Sequence, residues 1–215
     1  MKDDVRKFLT AAERLAIETR VKSAESGSSG EIVVMAVSAS NHYHAAILAA
    51  SGTLALILAI GVMLLLGSEN LWLFLPIFAL LFVVAHELFK RVRRLIRPFV
   101  DRREMSEAVE EASIRAFYHG KVHETRHRAG ILIYISLFER SVRVLADTGI
   151  DSKAGPEAWQ EIVALVTKGI ERGTQGEAII EAVDRCSGLL SRHFPGRDER
   201  LNELGDAVIL GSPEY

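Results

Sequence analysis

The stretch AAILAASGTLALILAIGVMLLL, Ala45 to Leu66, contains no charged side chain and decides how the rest of the chain is read. After Gly67-Ser68-Glu69-Asn70 a second apolar run, LWLFLPIFALLFVVAHELF, extends from Leu71 to Phe89. About 20 apolar residues at 1.5 Å rise cover a hydrocarbon core of roughly 30 Å. The first run is therefore long enough to span, and the second is so if His86 and Glu87 lie at the far interface. Two buried core helices are the alternative, but 215 residues leave too little other apolar sequence to wrap both on all sides. The two runs predict transmembrane helices joined as a hairpin, 45–89, in an integral membrane protein. Trp72 and Tyr43 stand where interfacial aromatics are enriched. The spacings Ala45/Ala49 and Ala46/Ala50 suit close helix packing, and Pro76 is a place for a kink. Neither run carries a charge at its middle, which argues against an ion or proton path.

The outer turn carries no Lys or Arg, whereas Lys90, Arg91, Arg93, Arg94, Arg97, Arg102 and Arg103 follow the second run. By the positive-inside rule the turn is outside, and both termini and the folded domain are cytoplasmic. That predicts a two-pass membrane protein. The formal net charge of −2 hides this local contrast. The run Lys90 to Arg103 is expected to attract anionic lipid headgroups, and because it adjoins a membrane it does not read as a nucleic-acid surface. A single cysteine, Cys186, excludes an intramolecular disulfide and fits a reducing compartment. The charged opening Met1-Lys2-Asp3-Asp4 does not read as a cleavable signal.

The polar remainder reads as one domain. Thr10-Ala11-Ala12-Glu13 is a capping box, so a helix starts there and stops at Gly27-Ser28-Ser29-Gly30. Glu31 to Val37 is apolar without alternation and β-branched, as in a strand buried on both faces. Met105, Ala108, Val109, Ala112, Ala116 and Phe117 form one stripe of a helix ending near Gly120. Ile131 to Leu137 and Ser141 to Asp147 are strand signals separated by three residues, a hairpin spacing, with the second alternating as an edge strand would. Helices are expected over 157–172 and 177–193, then a surface loop from Phe194 to Arg200, with Asn202 to Leu210 unassigned. The order of elements indicates an α/β domain with a small mixed sheet, interrupted by the transmembrane hairpin. Residues 1–44 hold its first helix and strand, 45–89 the hairpin, 90–193 the second part, and 194–215 a tail.

His123-Glu124-Thr125-Arg126-His127 matches the H-E-x-x-H zinc pattern, which requires a helix with both imidazoles on one face. It lies between a helix-stopping Gly120 and a strand, so it reads as a solvated helix end or loop. The strand hairpin carries a more geometric argument. Residues before its first strand lie beside those after its second, bringing His123, Thr125 and Arg128 toward Asp147, Gly149 and Asp151, with Glu139 at the other tip. Such a group can hold a divalent cation through Asp147, Asp151 and His123, or a phosphate through Arg128 and Thr125. Equally, Arg128 and Asp147 can be an ion pair at the sheet edge with Asp147-Thr148-Gly149 a simple turn. Two carboxylates and an imidazole favour calcium or magnesium over zinc. Trp159 and Cys186 read as core residues.

Gly130-Ile131-Leu132-Ile133-Tyr134-Ile135-Ser136, then Glu139, then Val144-Leu145-Ala146-Asp147-Thr148-Gly149-Ile150, resembles the TPM-domain family. Ser29-Gly30-Glu31-Ile32-Val33-Val34 and the run from His193-Phe194-Pro195 to Asn202-Glu203-Leu204 are similar to it as well, the latter to a bacterial membrane-anchored branch. The resemblance implies an α/β/α sandwich and, in some members, divalent-metal binding or acid phosphatase activity; other members act in photosystem repair or as receptor accessories. Asp147 and Gly149 match the family's Asp-x-Gly element, and His123, Thr125, Arg128 and Glu139 match positions of the membrane branch. Where many secreted members have Asp-Asn-Gly before the hairpin, this chain has Arg128-Ala129-Gly130. A full domain without a complete catalytic constellation is expected to be a membrane-anchored binding or accessory module that recruits a membrane or envelope protein partner or assists envelope quality control. A divalent-metal-assisted acid phosphatase is the alternative.

Overall fold

The computed structural model describes residues 5, 7–125, 127–195 and 207–211. The chain separates into two compact units, one built from residues before 42 and after 105, the other from 42–105.

The first unit is organised by a four-stranded sheet of order β3-β2-β1-β4, where β1 is Glu31–Val37, β2 Gly130–Ser136, β3 Ser141–Ala146 and β4 Ile209–Gly211. β1 runs parallel to β2 and to β4, and β2 runs antiparallel to β3. β3 is therefore an edge strand, as its alternation indicates. All of β2 and all of β1 except Glu31 are buried, which is why neither alternates. On one face Ile32, Val34, Ile131, Ile133 and Ile135 pack with Ile17 and Val21 of α1 (Ala11–Glu25), Ile150 of α5 (Thr148–Ala154), Ile162 and Val166 of α6 (Pro156–Arg172), and Ile179, Val183 and Leu190 of α7 (Gln175–His193). On the other face Val33, Met35, Leu132 and Tyr134 pack with Val109, Ala116 and Phe117 of α4 (Arg102–His119). Helices on both faces of a mixed sheet make the α/β/α sandwich that the resemblance implies.

Local chemistry sets the element ends. The Glu13 amide donates to Thr10 Oγ1 at 3.2 Å and the Thr10 amide to Glu13 Oε2 at 2.8 Å, closing the capping box that starts α1. α6 starts on Pro156 and stops at Gly173, whose φ of 76° is left-handed. The expected helix at 177–193 begins two residues earlier. The expected loop at Phe194 to Arg200 lies outside the described residues beyond Pro195, which pairs with Ser28. β4 was not legible in the sequence: Ile209 and Leu210 lie in the unassigned segment 202–210 and Gly211 follows it, and the strand takes shape by pairing Met35 with Ile209 and Val37 with Gly211.

The second unit holds α2 (His44–Leu66) and α3 (Leu71–Arg91), both long and apolar enough to cross a membrane. Gly67, at φ 60°, ends α2, and the Asn70 side chain caps α3 by accepting from the Trp72 amide at 3.0 Å. α3 continues through Pro76. The helices pack a small seam, Ala46, Ala50, Ser51, Ala55 and Ala59, that lets their backbones approach closely. Ser51 Oγ donates to the Ile47 carbonyl, so its hydroxyl is satisfied within α2. Phe74, Phe78, Phe82 and His86 form a ladder along α3 with ring centroids 5.9, 6.3 and 5.9 Å apart. Elsewhere the apolar surface is open: Leu65 is 89% and Trp72 82% exposed, whereas a core helix of a soluble protein is mostly buried. Tyr43, just before α2, is buried.

Candidate functional site

The sheet places polar side chains at both of its ends. At the start of β2, Gly130 accepts from the Asp147 amide at 2.9 Å, tying the end of β3 to the start of β2. Asp147 is buried and caps α5, its Oδ1 accepting from the Thr148 amide at 2.7 Å. The segment read as a simple turn is thus the first turn of a helix, because a carboxylate precedes free amides. The Arg128 guanidinium stands 3.9 Å from Asp147 Oδ1, an ion pair on a largely exposed arginine. Asp147 Oδ2 is buried with no hydrogen-bond partner. Gly149 fits beneath this corner because a Cβ there would lie 2.5 Å from the Arg128 carbonyl and 2.8 Å from that of His127.

The hairpin therefore brings Arg128, Asp147 and Gly149 together, while the other expected residues have separate engagements. Thr125 Oγ1 accepts from the Ala129 amide at 3.1 Å and holds the turn into β2. Asp151 Oδ1 accepts from the Trp159 indole at 2.9 Å, joining α5 to α6. His123 packs against Tyr118 with ring centroids 4.8 Å apart, its Nδ1 buried without a partner and its Nε2 3.8 Å from Glu124. His123 and Glu124 end a three-residue 3₁₀ turn and Thr125 is extended, so the H-E-x-x-H pattern is not carried on a continuous helix. Among the described residues no three His, Cys, Asp or Glu side chains form a metal-ligating group.

The opposite end, where β1 and β2 finish side by side at Val37 and Ser136, holds a cluster that the sequence reading found only in Glu139. Ligands of open α/β sheets bind outside the carboxyl ends of the strands, so this is the end where a site is first sought. Ser40, Tyr134, Ser136 and Glu139 are all buried. The Ser40 amide donates to Glu139 Oε1 at 2.8 Å, the Ser136 hydroxyl donates to Glu139 Oε2, and the Ser40 hydroxyl donates to Ser136 Oγ at 3.0 Å. The Tyr134 hydroxyl lies 3.1 Å from Ser40 Oγ. With the Ser40 proton already given to Ser136, Tyr134 donates, and a directed chain runs from Tyr134 through Ser40 and Ser136 to Glu139. Burial pushes the Tyr134 hydroxyl above its ordinary pKa; the Ser40 hydrogen bond opposes this and the Glu139 charge adds to it. Tyr134 thus stays a donor through neutral pH. The signal available in the sequence was Ser136 closing an otherwise apolar strand. Linking it to Ser40 requires the parallel register.

The cluster is chemically closed, since each donor faces an acceptor within it. It fixes the backbone of Ser40 two residues before the second unit begins at His42. Continuing the ladder, Leu137 donates to the Val37 carbonyl and Phe138 to that of Ser38, both at 3.0 Å.

Residues 96–189 match the family model of the TPM domain. The NMR structure of the BA42 protein from the psychrophilic bacterium Bizionia argentinensis is similar in fold. Its TM-score is 0.58 at 17% identity, covering 95% of this chain and 96% of that one. No curated protein matches the chain. The family match takes in the β2–β3 hairpin and stops short of Ser29 to Val34, where β1 begins. Residues 96–189 are therefore similar to a TPM domain: the matched stretch carries α4, β2, β3, α5, α6 and most of α7, and the earlier α1 and β1 complete the sandwich.

Proposed function

We propose that this protein is a membrane-anchored TPM module whose domain lies at the cytoplasmic face of a bacterial inner membrane and serves as a binding or accessory part for a membrane or envelope protein partner, in envelope quality control. The observation that carries the anchor is the pair of long apolar helices with largely exposed surfaces, inserted between β1 and β2. The basic residues after α3 support the sidedness. At the Glu139 end of the sheet the donors of the cluster are already paired with acceptors inside it, which supports a role in holding the Ser40 backbone rather than in catalysis there. Alkaline carbonate extraction of membranes tests the anchor: the full chain should stay in the pellet, and release into the supernatant contradicts it. Cross-linking in intact cells followed by capture should return the same membrane or envelope protein in replicate preparations. A background profile indistinguishable from that of an unrelated two-span protein contradicts the accessory role.

One observation favours a second reading. Asp147 Oδ2 is buried without a partner, as a cation ligand would be, and this is where the family resemblance puts a metal and acid phosphatase chemistry. The donor set fits an ion poorly: Asp151 already accepts from Trp159 and Arg128 competes for Asp147. Calcium or magnesium there would draw most of its six to eight ligands, or six, from carbonyls and water. Calorimetric titration of the detergent-solubilised chain should show calcium heat that is lost in Asp147→Asn. Absence of heat in the parent chain, together with no metal-dependent hydrolysis of a phosphomonoester, removes this reading.

A further inference from the structure

We infer that the 3₁₀ helix Arg93–Phe99 is a foot lying in the membrane plane, its apolar line set into the acyl boundary and its arginines on the phosphates of anionic phospholipids; this rests on the membrane-anchored reading above. With three residues per turn, side chains of a 3₁₀ helix eclipse every third position, so three straight lines run along it. Val92, Leu95 and Pro98 share one line and all are exposed, Val92 by 42% and Leu95 by 46%. Ile96 lies on a second line and is fully buried, and Phe99 on that line meets Phe89 edge-on at 6.3 Å. The helix packs on both α2 and α3. It is therefore held in place with an apolar line facing outward.

The third line is cationic. Arg94 is exposed, and Arg97 has its Nε buried without a hydrogen-bond partner. Lys90 and Arg91 precede it and share Glu87, at 3.2 and 4.0 Å. Arg93 is placed differently, 3.4 Å from His42 Nδ1, and is not assigned to lipid. An apolar line beside a cationic line, starting one residue after a hydrophobic span ends, matches the boundary between acyl chains and anionic headgroups in both spacing and charge. A protein groove would satisfy the apolar line, but it would not account for the cationic line or for the continuity with α3.

The test uses spin labels on the full chain in nanodiscs of phosphatidylcholine, with or without one-third phosphatidylglycerol. Labels go at Leu95→Cys and Arg94→Cys, with Ile57→Cys in α2 and Glu107→Cys in α4 as references; the native Cys186 is fully buried. Collision rates with oxygen and with a water-soluble nickel chelate report immersion. The expected result is an oxygen preference at Leu95 approaching that at Ile57, a nickel preference at Arg94, and deeper Leu95 immersion with phosphatidylglycerol. Arg94→Gln with Arg97→Gln should reduce that lipid preference, about fivefold for each charge removed. A Leu95 label as open to nickel as Glu107, with Ile57 immersed, overturns the foot alone. Nickel access at Ile57 overturns the anchor and the foot with it. Immersion of Leu95 that ignores both phosphatidylglycerol and the arginine substitutions overturns the headgroup assignment.

Discussion

Replacing Glu139 by alanine removes the acceptor on which the buried cluster converges. The Ser40 amide at 2.8 Å and the Ser136 hydroxyl both donate to this carboxylate from buried positions. A hydrogen bond to a charged acceptor contributes about 1.5–3 kcal/mol, and a buried donor left without a partner adds its desolvation cost. The expected loss for Glu139→Ala is about 3–5 kcal/mol. Glu139→Gln keeps a carbonyl for the Ser40 amide but offers an N–H to Ser136, whose hydroxyl must then find no acceptor or turn, so its cost is about 1–2 kcal/mol. Urea unfolding of the full chain in mild detergent, followed by the fluorescence of buried Trp159 in a Trp72→Phe background, reads both. A change below about 1 kcal/mol for the alanine variant, or equal losses for alanine and glutamine, refutes the cluster as the clamp on the Ser40 backbone.

Gly149→Ala should destabilise the domain by about 2 kcal/mol or more, because the added Cβ meets the Arg128 and His127 carbonyls; an unchanged midpoint in the same unfolding assay counts against the close approach. Cys186 is fully buried, and burial pushes its thiol up to about 12. The unfolded thiol ionises near 8.5, so this group favours the folded state fully below that pH, and its share is lost at about 1.4 kcal/mol per pH unit as pH rises from there toward 12. Native protein at pH 8 should resist maleimide until unfolded, and Cys186→Ala should flatten the alkaline loss of stability; rapid native labelling contradicts the burial.

What the sequence made legible were features that reside in short windows. The capping box at Thr10 and Glu13, the non-alternating run Glu31 to Val37 and the two apolar runs each carry their own physical signature; the first two formed the expected helix and strand, and the apolar runs formed helices long and apolar enough to cross a membrane. The hairpin of β2 and β3 was readable because its turn is local and its register follows from chain adjacency. Features set by distant pairing were not readable. β4 has three residues and exists through β1, and Ser40 meets Ser136 only because parallel strands end in register at Val37. At the other corner, adjacency correctly joined Arg128 to Asp147 and Gly149. It did not anticipate that Trp159 would take Asp151, since that bond depends on how α6 returns over α5.

The account's central claim is a TPM-like domain on one side of a membrane, interrupted by a hairpin whose turn lies on the other. Single cysteines at Glu69, in the turn, and at Glu107, in α4, can be reacted with a membrane-impermeant maleimide in intact cells, in a Cys186→Ala background. The expected result is labelling of Glu69→Cys in intact cells and of Glu107→Cys only after the inner membrane is opened. Labelling of both positions in intact cells, or of neither until the membrane is opened, contradicts the claim.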